Sequence, residues 1–475
     1  MRARWPALVA AACVSGACAS HRVAYAPPQP DVPPAAEFKE YGNLRPAAPQ
    51  DAVIRGDWWE MFGDPQLNAL EERLTVSNET LRAAAAQFAQ AQAILRTARA
   101  AQYPQVNAVP QITPQQPSGN RAISTFHSDF TDFVVPVTAS YEADVWGRVH
   151  EVVSASRASA QATAADLENA RLSLHAELAA DYFALRGLDS ERQLLDAAVT
   201  AYEQALQLTQ NRFQGGIASA ADVAQAETQL ETTRAEAVDV DSERVLVEHA
   251  IAVLIGASAS AFGIPAAPLA GTPPDIPAGI PSALLERRPD IAGAERRVAA
   301  ATAQLGATTA AYYPVLNLAG ATGFESTSLA TLFTATSNFW AFGPVAVATL
   351  FDAGRRRAQI DQARAFLEQT AANYQATVLS AFREVEDQVA TLRILQDEAA
   401  VQDRAVDASA RALAQANNRY AGGVASYLEV IVAQTASLNN ERTAARILTR
   451  RMTSSVLLLR GIGGGWNQSA LPSLQ

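Results

Sequence analysis

Two arginines and two carboxylates stand at matching places in this chain. Asn211–Ser219 reads Asn-Arg-Phe-Gln-Gly-Gly-Ile-Ala-Ser, and 207 residues later Asn418–Ser426 reads Asn-Arg-Tyr-Ala-Gly-Gly-Val-Ala-Ser. Asp222 follows the first copy by three residues and Glu429 follows the second by three. The glycine pairs, Gly215-Gly216 and Gly422-Gly423, lie between helical patterns and supply the left-handed backbone that stops a helix and turns the chain. Ser219 and Ser426 can then accept an N–H from the first turn of the next helix. Arg212 and Arg419 fall in the last turn before each bend, beside Phe213 and Tyr420, where a cation suits the helix dipole. Asp222 and Glu429 fall in the first turn after it, where an anion does. The chemistry open to these groups is electrostatic: linkage between helices, contact with a partner at the bend, or attraction of cations by carboxylates around a narrow pore.

Catalysis has no comparable foothold, and no enzyme, metal or redox cofactor is expected. His21, His127, His150, His175 and His249 are scattered without metal-ligand spacing, and neither a nucleophile elbow nor a phosphate-binding loop occurs. The two cysteines, Cys13 and Cys18, both lie at the N-terminus, so the body holds no disulfide framework or thiolate site. A net charge of −11, with no run of Lys or Arg, argues against a nucleic-acid partner.

The N-terminus reads as an export signal over residues 1–17: Arg2 and Arg4, an apolar core, then small residues. Ser15-Gly16-Ala17-Cys18 resembles the lipobox of bacterial lipoproteins, with Ser15 where that motif usually has Leu. The expectation is a covalent lipid on Cys18, a diacylglycerol plus an N-acyl chain. Ordinary cleavage after Ala19 and lipidation at Cys13 stay open. Residues 18–56 form a Pro-rich leash. Beyond the signal, no stretch of about 20 apolar residues could span a membrane as a helix.

Two units of one design follow, residues 57–256 and 284–463, joined by a Pro/Gly-rich linker over 257–283 and ending in a tail over 464–475. Each reads helix, strand, strand, very long helix, bend, helix. Asp64-Pro65 starts a helix, and Glu79–Ala101 is a dense helical pattern that ends before Tyr103-Pro104. Its counterpart, Ile291–Ala311, ends before Tyr313-Pro314. Period-two patterns then predict strands at about 105–113, 134–145, 315–324 and 339–351, with a polar loop over 113–132. Val106, Ala108, Pro110 and Ile112 share one face; so do Val137, Ala139, Tyr141 and Ala143. At 9 to 13 residues each, these suit tilted membrane strands, and equally a soluble hairpin with one wet face. From Gly147-Arg148 and Gly354-Arg355, helical spacing resumes for sixty-odd residues, a rod of roughly 100 Å. Four strands cannot close a membrane barrel, which needs about eight or more, so strands in lipid require an oligomer. A trimer would supply twelve.

Leu284-Leu285-Glu286-Arg287-Arg288-Pro289-Asp290-Ile291, Trp58-Trp59 with Phe62 and Asp64-Pro65, and the two Arg-aromatic-x-Gly-Gly bends carry a family resemblance. From Trp58 to Gly461, the chain resembles the TolC-like outer-membrane factors of tripartite efflux systems, in particular their lipoprotein branch. That resemblance implies a mainly α fold with a membrane β-barrel. A homotrimer would form a 12-stranded β-barrel in the outer membrane, continuous with a long α-helical barrel in the periplasm. It implies a passive exit duct, partnered by a periplasmic adaptor and an inner-membrane pump of the resistance-nodulation-division type. The competing reading is a periplasmic coiled-coil adaptor or scaffold lipoprotein without a barrel.

The resemblance also places both bends at the periplasmic tip. Arg212, Phe213, Gly215, Gly216, Ser219, Arg419, Tyr420, Gly422, Gly423 and Ser426 become candidates for the tip hairpins and adaptor contact, and Asp222 and Glu429 for the gate. Val432 stands where several relatives place a second acid, and Ala425 where one has a basic partner, so the gate here departs from theirs. Arg288, Pro289 and Asp290 are read as fixing a helix start.

Overall fold

A computed structural model describes residues 25–29, 39, 56–118, 129–276 and 284–474. The export signal, Cys18 and most of the leash lie outside the described residues, as do residues 119–128 and 277–283. Seven main helices follow in order: α1 (Pro65–Ser77), α2 (Glu79–Ala100), α3 (Arg148–Gln214), α4 (Ala220–Leu254), α5 (Pro289–Ala310), α6 (Arg355–Ala421) and α7 (Tyr427–Gly461). The duplication is exact in length: α2 and α5 have 22 residues each, α3 and α6 have 67, α4 and α7 have 35. At 1.5 Å per residue the long pair measure about 100 Å.

Local chemistry fixes the helix starts. Asp64 accepts from Gln66 N at 2.9 Å and Leu67 N at 3.2 Å, with Pro65 in the first turn of α1. Asn78 caps α2 by accepting from Leu81 N at 2.8 Å, and its Nδ2 donates to the Leu254 carbonyl at 2.7 Å, tying α2 to the end of α4. Gly147 and Gly354 enter α3 and α6 at φ 80° and 86°, a left-handed conformation that suits glycine.

Each long helix takes a different partner in each half. Near the sheet the helices lie side by side as α2-α3-α5-α6, and away from it as α4-α3-α7-α6. The sequence pattern predicts the α2-above, α4-below cover of α3. In both halves one edge of the layer is α6, and the other is α2 or α4. The principal core lies between the halves. There Trp58, Trp59, Leu67 and Leu74 pack on Leu178, Tyr182 and Phe183 of α3, Ile251 of α4, Val385 and Val389 of α6, and Val456 and Leu459 of α7.

The strands are β1 (Gln105–Ala108), β2 (Gln111–Gln115), β3 (Phe130–Ala143), β4 (Val315–Ser326) and β5 (Asn338–Val347). All neighbours are antiparallel, in the order β1-β3-β4-β5, with β2 also paired to β3. Three boundaries correct the sequence expectation. The single strand over 105–113 is two, interrupted at Val109-Pro110 without a change of register. Pro110 and, across from Val109, Pro136 both lack the N–H that a ladder needs there. The loop over 113–132 is shorter, because Thr113–Gln115 pair with Phe130–Asp132. The strands expected to reach 145 and 351 stop at Ala143 and Val347, where the partner strand β4 runs out at Pro314.

Following the register across the sheet separates two faces. Val106, Ala108, Ile112, Phe133, Val135, Val137, Ala139, Tyr141, Leu316, Leu318, Phe324, Trp340 and Phe342 share one face, which carries no charge. Gln105, Asn107, Thr138, Ser140 and Asn317 share the other with all the charges of the sheet, Asp132, Glu142 and Glu325, interspersed toward β5 with Ala319, Ala321, Phe339, Val345 and Val347. One apolar face, one polar face and two unpaired edges describe a piece of a membrane barrel wall. Among the described residues no helix is long and apolar enough to cross a membrane.

Candidate functional site

At the far end of the long helices the two bends lie side by side. α3 stops with Gly216 at φ 74°, and α6 with Gly423 at φ 72°. Ile217 N donates to the Arg212 carbonyl at 2.8 Å and Val424 N to the Arg419 carbonyl at 3.0 Å, the six-residue closure of a Schellman end. Gly215 and Gly422 keep negative φ, so one glycine of each pair carries the left-handed turn.

The side chains then diverge between the copies. Ser219 and Asp222 form a reciprocal cap: Asp222 N donates to Ser219 Oγ at 3.2 Å, and Ser219 N and Oγ each donate to Asp222 Oδ2 at 2.8 Å. Ser426, expected to cap α7 in the same way, makes no side-chain cap bond. Glu429 instead turns back across its own bend, with Oε2 3.1 Å from Arg419 Nη1. Arg212 crosses between the bends. Its Nη1 donates to the Tyr420 carbonyl at 2.8 Å, its Nη2 to the Ala421 carbonyl at 3.1 Å, and its guanidinium lies 4.3 Å over the Tyr420 ring.

Behind these contacts lies a small core of Ala226, Ala416, Tyr420, Tyr427 and Val430. The Tyr420 and Tyr427 rings are 5.4 Å apart, and Thr209 Oγ1 is 3.3 Å from the Tyr420 hydroxyl. The Tyr427 hydroxyl is buried with no partner, and burial pushes it up to about 12. Ile217 and Val424, at equivalent places in the two bends, are 78% and 71% exposed, and Phe213 is exposed beside them. Sequence reasoning passed over Ile217, Val424 and Tyr427; the 207-residue offset that pairs Ile217 with Val424 was the available signal.

Arg288, Pro289 and Asp290 lie far from the bends, at the start of α5. Pro289 takes the first position of the helix. Arg288 donates to Asp290 at 3.0 and 2.6 Å, to Glu384 Oε2 at 3.0 Å and to the Gly461 carbonyl at 2.9 Å, joining α5, α6 and the end of α7. All of these contacts are internal. No cluster of metal-ligating side chains occurs among the described residues.

A half-open membrane sheet on a helical layer that runs roughly 100 Å to a charged tip is the wall of a duct. The family model for outer membrane efflux proteins matches residues 70–257 and 280–464. Outer membrane protein OprJ of Pseudomonas aeruginosa is 31% identical over 441 residues, 92% of each chain. The probable outer membrane lipoprotein SilC of Salmonella typhimurium is 29% identical over 416 residues, 86% of this chain and 88% of its own. The solved outer-membrane channel OprN superposes with a TM-score of 0.87 at 28% identity, over 93% of this chain and 98% of its own. This chain belongs to the outer membrane efflux protein family. It resides in the outer membrane as the exit duct of an efflux pump.

Proposed function

We propose that three copies close the duct, with β5 of one copy pairing with β1 and β2 of the next; with β1 and β2 counted as one interrupted strand, this gives a twelve-stranded barrel. The observation that carries this reading is the sheet: one charge-free apolar face and two edges without partners. In lipid each unpaired backbone group costs several kcal/mol, and four strands are too few to close. A barrel-less periplasmic scaffold would have no use for such a face. Below the sheet, Val238, Leu246 and Val253 on α4 and Leu379, Ile394 and Val401 on α6 are exposed apolar side chains on the helices that form the two edges of the layer. Those edges meet in the same closure.

The duct works passively. A wide wet lumen needs no catalytic group, and the driving force belongs to an inner-membrane pump of the resistance-nodulation-division type, coupled through a periplasmic adaptor. The tip residues Arg212, Phe213, Ser219, Arg419, Tyr420 and Ser426, with the four bend glycines, are the proposed adaptor contact and hairpin frame. Glu429 and Asp222 are the proposed gate carboxylates, with Glu429 the better placed because Asp222 is engaged in its own cap. A lipid on Cys18 adds an anchor beside the barrel.

Mass measurement of the full-length protein in mild detergent tests the assembly. A trimer in the outer-membrane fraction is expected; a monomer, or recovery in the soluble periplasm, would reject the duct. Radiolabelled palmitate tests the anchor: Cys18→Ser should abolish the label, and a label that persists would move the site to Cys13.

A further inference from the structure

The foot of the barrel holds a patch that the duct reading does not use. Leu350 and Phe351, just past β5, are 95% and 87% exposed, and the alternation carried past Val347 keeps Leu350 on the side of Trp340 and Phe342. Three arginines follow at once, Arg355, Arg356 and Arg357, in the first turn of α6. That is the end of a helix where the dipole disfavours cations, in a chain of net charge −11. Arg356 has internal partners: Asp352 at 2.6 Å, the Thr349 carbonyl at 2.7 Å and the Tyr312 ring. Arg355 and Arg357 are exposed and have none among the described residues.

The duplication shows what is missing. In the first unit the counterpart of Arg355 is Arg148, which holds Glu142 at 2.8 and 2.5 Å. The residue 207 places after Glu142 is Thr349, so Arg355 has lost its carboxylate. The counterpart of Arg357 is His150. Other acids at this level are engaged: Asp144 accepts from Val149 N and His150 N, and Asp352 holds Arg356. Asp361, one turn below Arg357, forms no ion pair with it. A neighbouring copy offers no remedy. The edge facing α6 in the proposed closure is α2, whose one acid, Glu79, lies at the far end and pairs with Arg82; its near end carries Arg96 and Arg99. Aromatics mark the membrane boundary at this height, with Trp146 stacked on Tyr313 at 4.8 Å and its Nε1 donating to the Pro314 carbonyl.

We propose that Leu350 and Arg357 form a docking site for anionic phospholipid of the leaflet facing the periplasm. This proposal rests on the barrel reading. Leu350 enters the acyl region, continuous with the apolar sheet face, and the Arg357 guanidinium binds the headgroup phosphate, a geometry that favours Arg. Arg355 and Arg357 leave the helix roughly 200° apart; the counterpart of Arg355, Arg148, reaches Glu142 on the polar face, which leaves Arg357 on the outward side.

Native mass spectrometry of the full-length protein, loaded with phosphatidylglycerol or phosphatidylethanolamine, tests the site. The same spectrum reports the oligomer, so a monomer would fail the barrel reading separately from this one. Phosphatidylglycerol should be retained preferentially. Arg357→Gln should cut that retention roughly fivefold and leave phosphatidylethanolamine unchanged, whereas Arg355→Gln should leave both lipids unchanged. Leu350→Ser should weaken both lipids alike, and Phe351→Ser neither. Equal retention of the two lipids by the unaltered trimer, an undiminished preference in Arg357→Gln, or competition by millimolar inorganic phosphate alone would overturn the proposal.

Discussion

Arg212 Nη1 lies 2.8 Å from the Tyr420 carbonyl while the same guanidinium sits 4.3 Å over the Tyr420 ring, so one side chain clamps the first bend to the second. The contact also satisfies the Ala421 carbonyl at the end of α6, while the Tyr420 carbonyl accepts from Gly423 N as well, at 3.0 Å. Charge-assisted hydrogen bonds of this kind contribute about 1.5–3 kcal/mol each. Arg212→Ala should therefore loosen one hairpin against the other and raise single-channel conductance in planar bilayers. Arg212→Lys, which keeps the charge but not the fork, should fall between. Equal conductance in all three proteins would remove the clamp from the gate.

The two tip carboxylates should behave differently, although sequence alone treats them as equivalents. Glu429 is partly exposed and pairs with Arg419 across the bend, whereas Asp222 is held by Ser219. Glu429→Ala should weaken divalent-cation block or raise conductance. Asp222→Ala should leave block unchanged and instead lower the stability of the α4 start by about 1 kcal/mol, the usual cost of a lost cap. Block relieved by Asp222→Ala but not by Glu429→Ala would invert the assignment.

Much of this architecture is legible in the sequence because it rests on local chemistry repeated twice. Glycine pairs and Gly-Arg restarts recur at an offset of 207 residues and the Tyr-Pro ends at 210, so helix lengths follow from spacing alone. The strands are legible as faces but not as boundaries. Where β3 and β5 stop depends on Pro314, the residue just before the partner strand β4, and the break between β1 and β2 owes as much to Pro136 across the ladder as to Pro110 within it. At the tip, the sequence places Arg212 at a helix end but not against Tyr420, which is 208 residues away. Likewise Ser426 carries the cap signature of Ser219, but the longer Glu429 side chain reaches Arg419 where Asp222 stays at home.

The face assignment of the sheet makes a sharp prediction about insertion. Phe342 lies opposite Gly320 on the apolar face, and Ser140 lies opposite Ala319 on the polar face. An arginine facing the lipid near the bilayer midplane costs about 2–4 kcal/mol, whereas a lumen-facing one is tolerated. Phe342→Arg should reduce the assembled outer-membrane form, read as heat-modifiable mobility on gels, and Ser140→Arg should assemble normally with altered ion selectivity. The opposite ranking would exchange inside and outside.

The core between the two halves holds a buried proton. Glu71 Oε2 lies 2.6 Å from His175 Nδ1, and Trp59 stacks on the imidazole at 4.4 Å. Burial pushes the Glu71 carboxyl up to about 9; burial, with Arg171 adding to it, pushes His175 down to about 4. At neutral pH both are uncharged, and the carboxyl O–H donates to Nδ1. The raised Glu71 contributes stability that is complete below its ordinary 4.5 and is lost as pH climbs to 9. The depressed His175 contributes stability present above its ordinary 6.5 and lost as pH falls toward 4. Between about 4.5 and 6.5 the two slopes cancel, so stability is level there. Above about 6.5 only Glu71 acts, and stability falls by up to about 1.4 kcal/mol per pH unit. Glu71→Gln keeps a donor toward Nδ1 but has no proton to lose, so its alkaline decline should vanish. Thermal unfolding of both proteins from pH 5 to 9 measures the difference, and parallel curves above pH 7 would place the titrating group elsewhere.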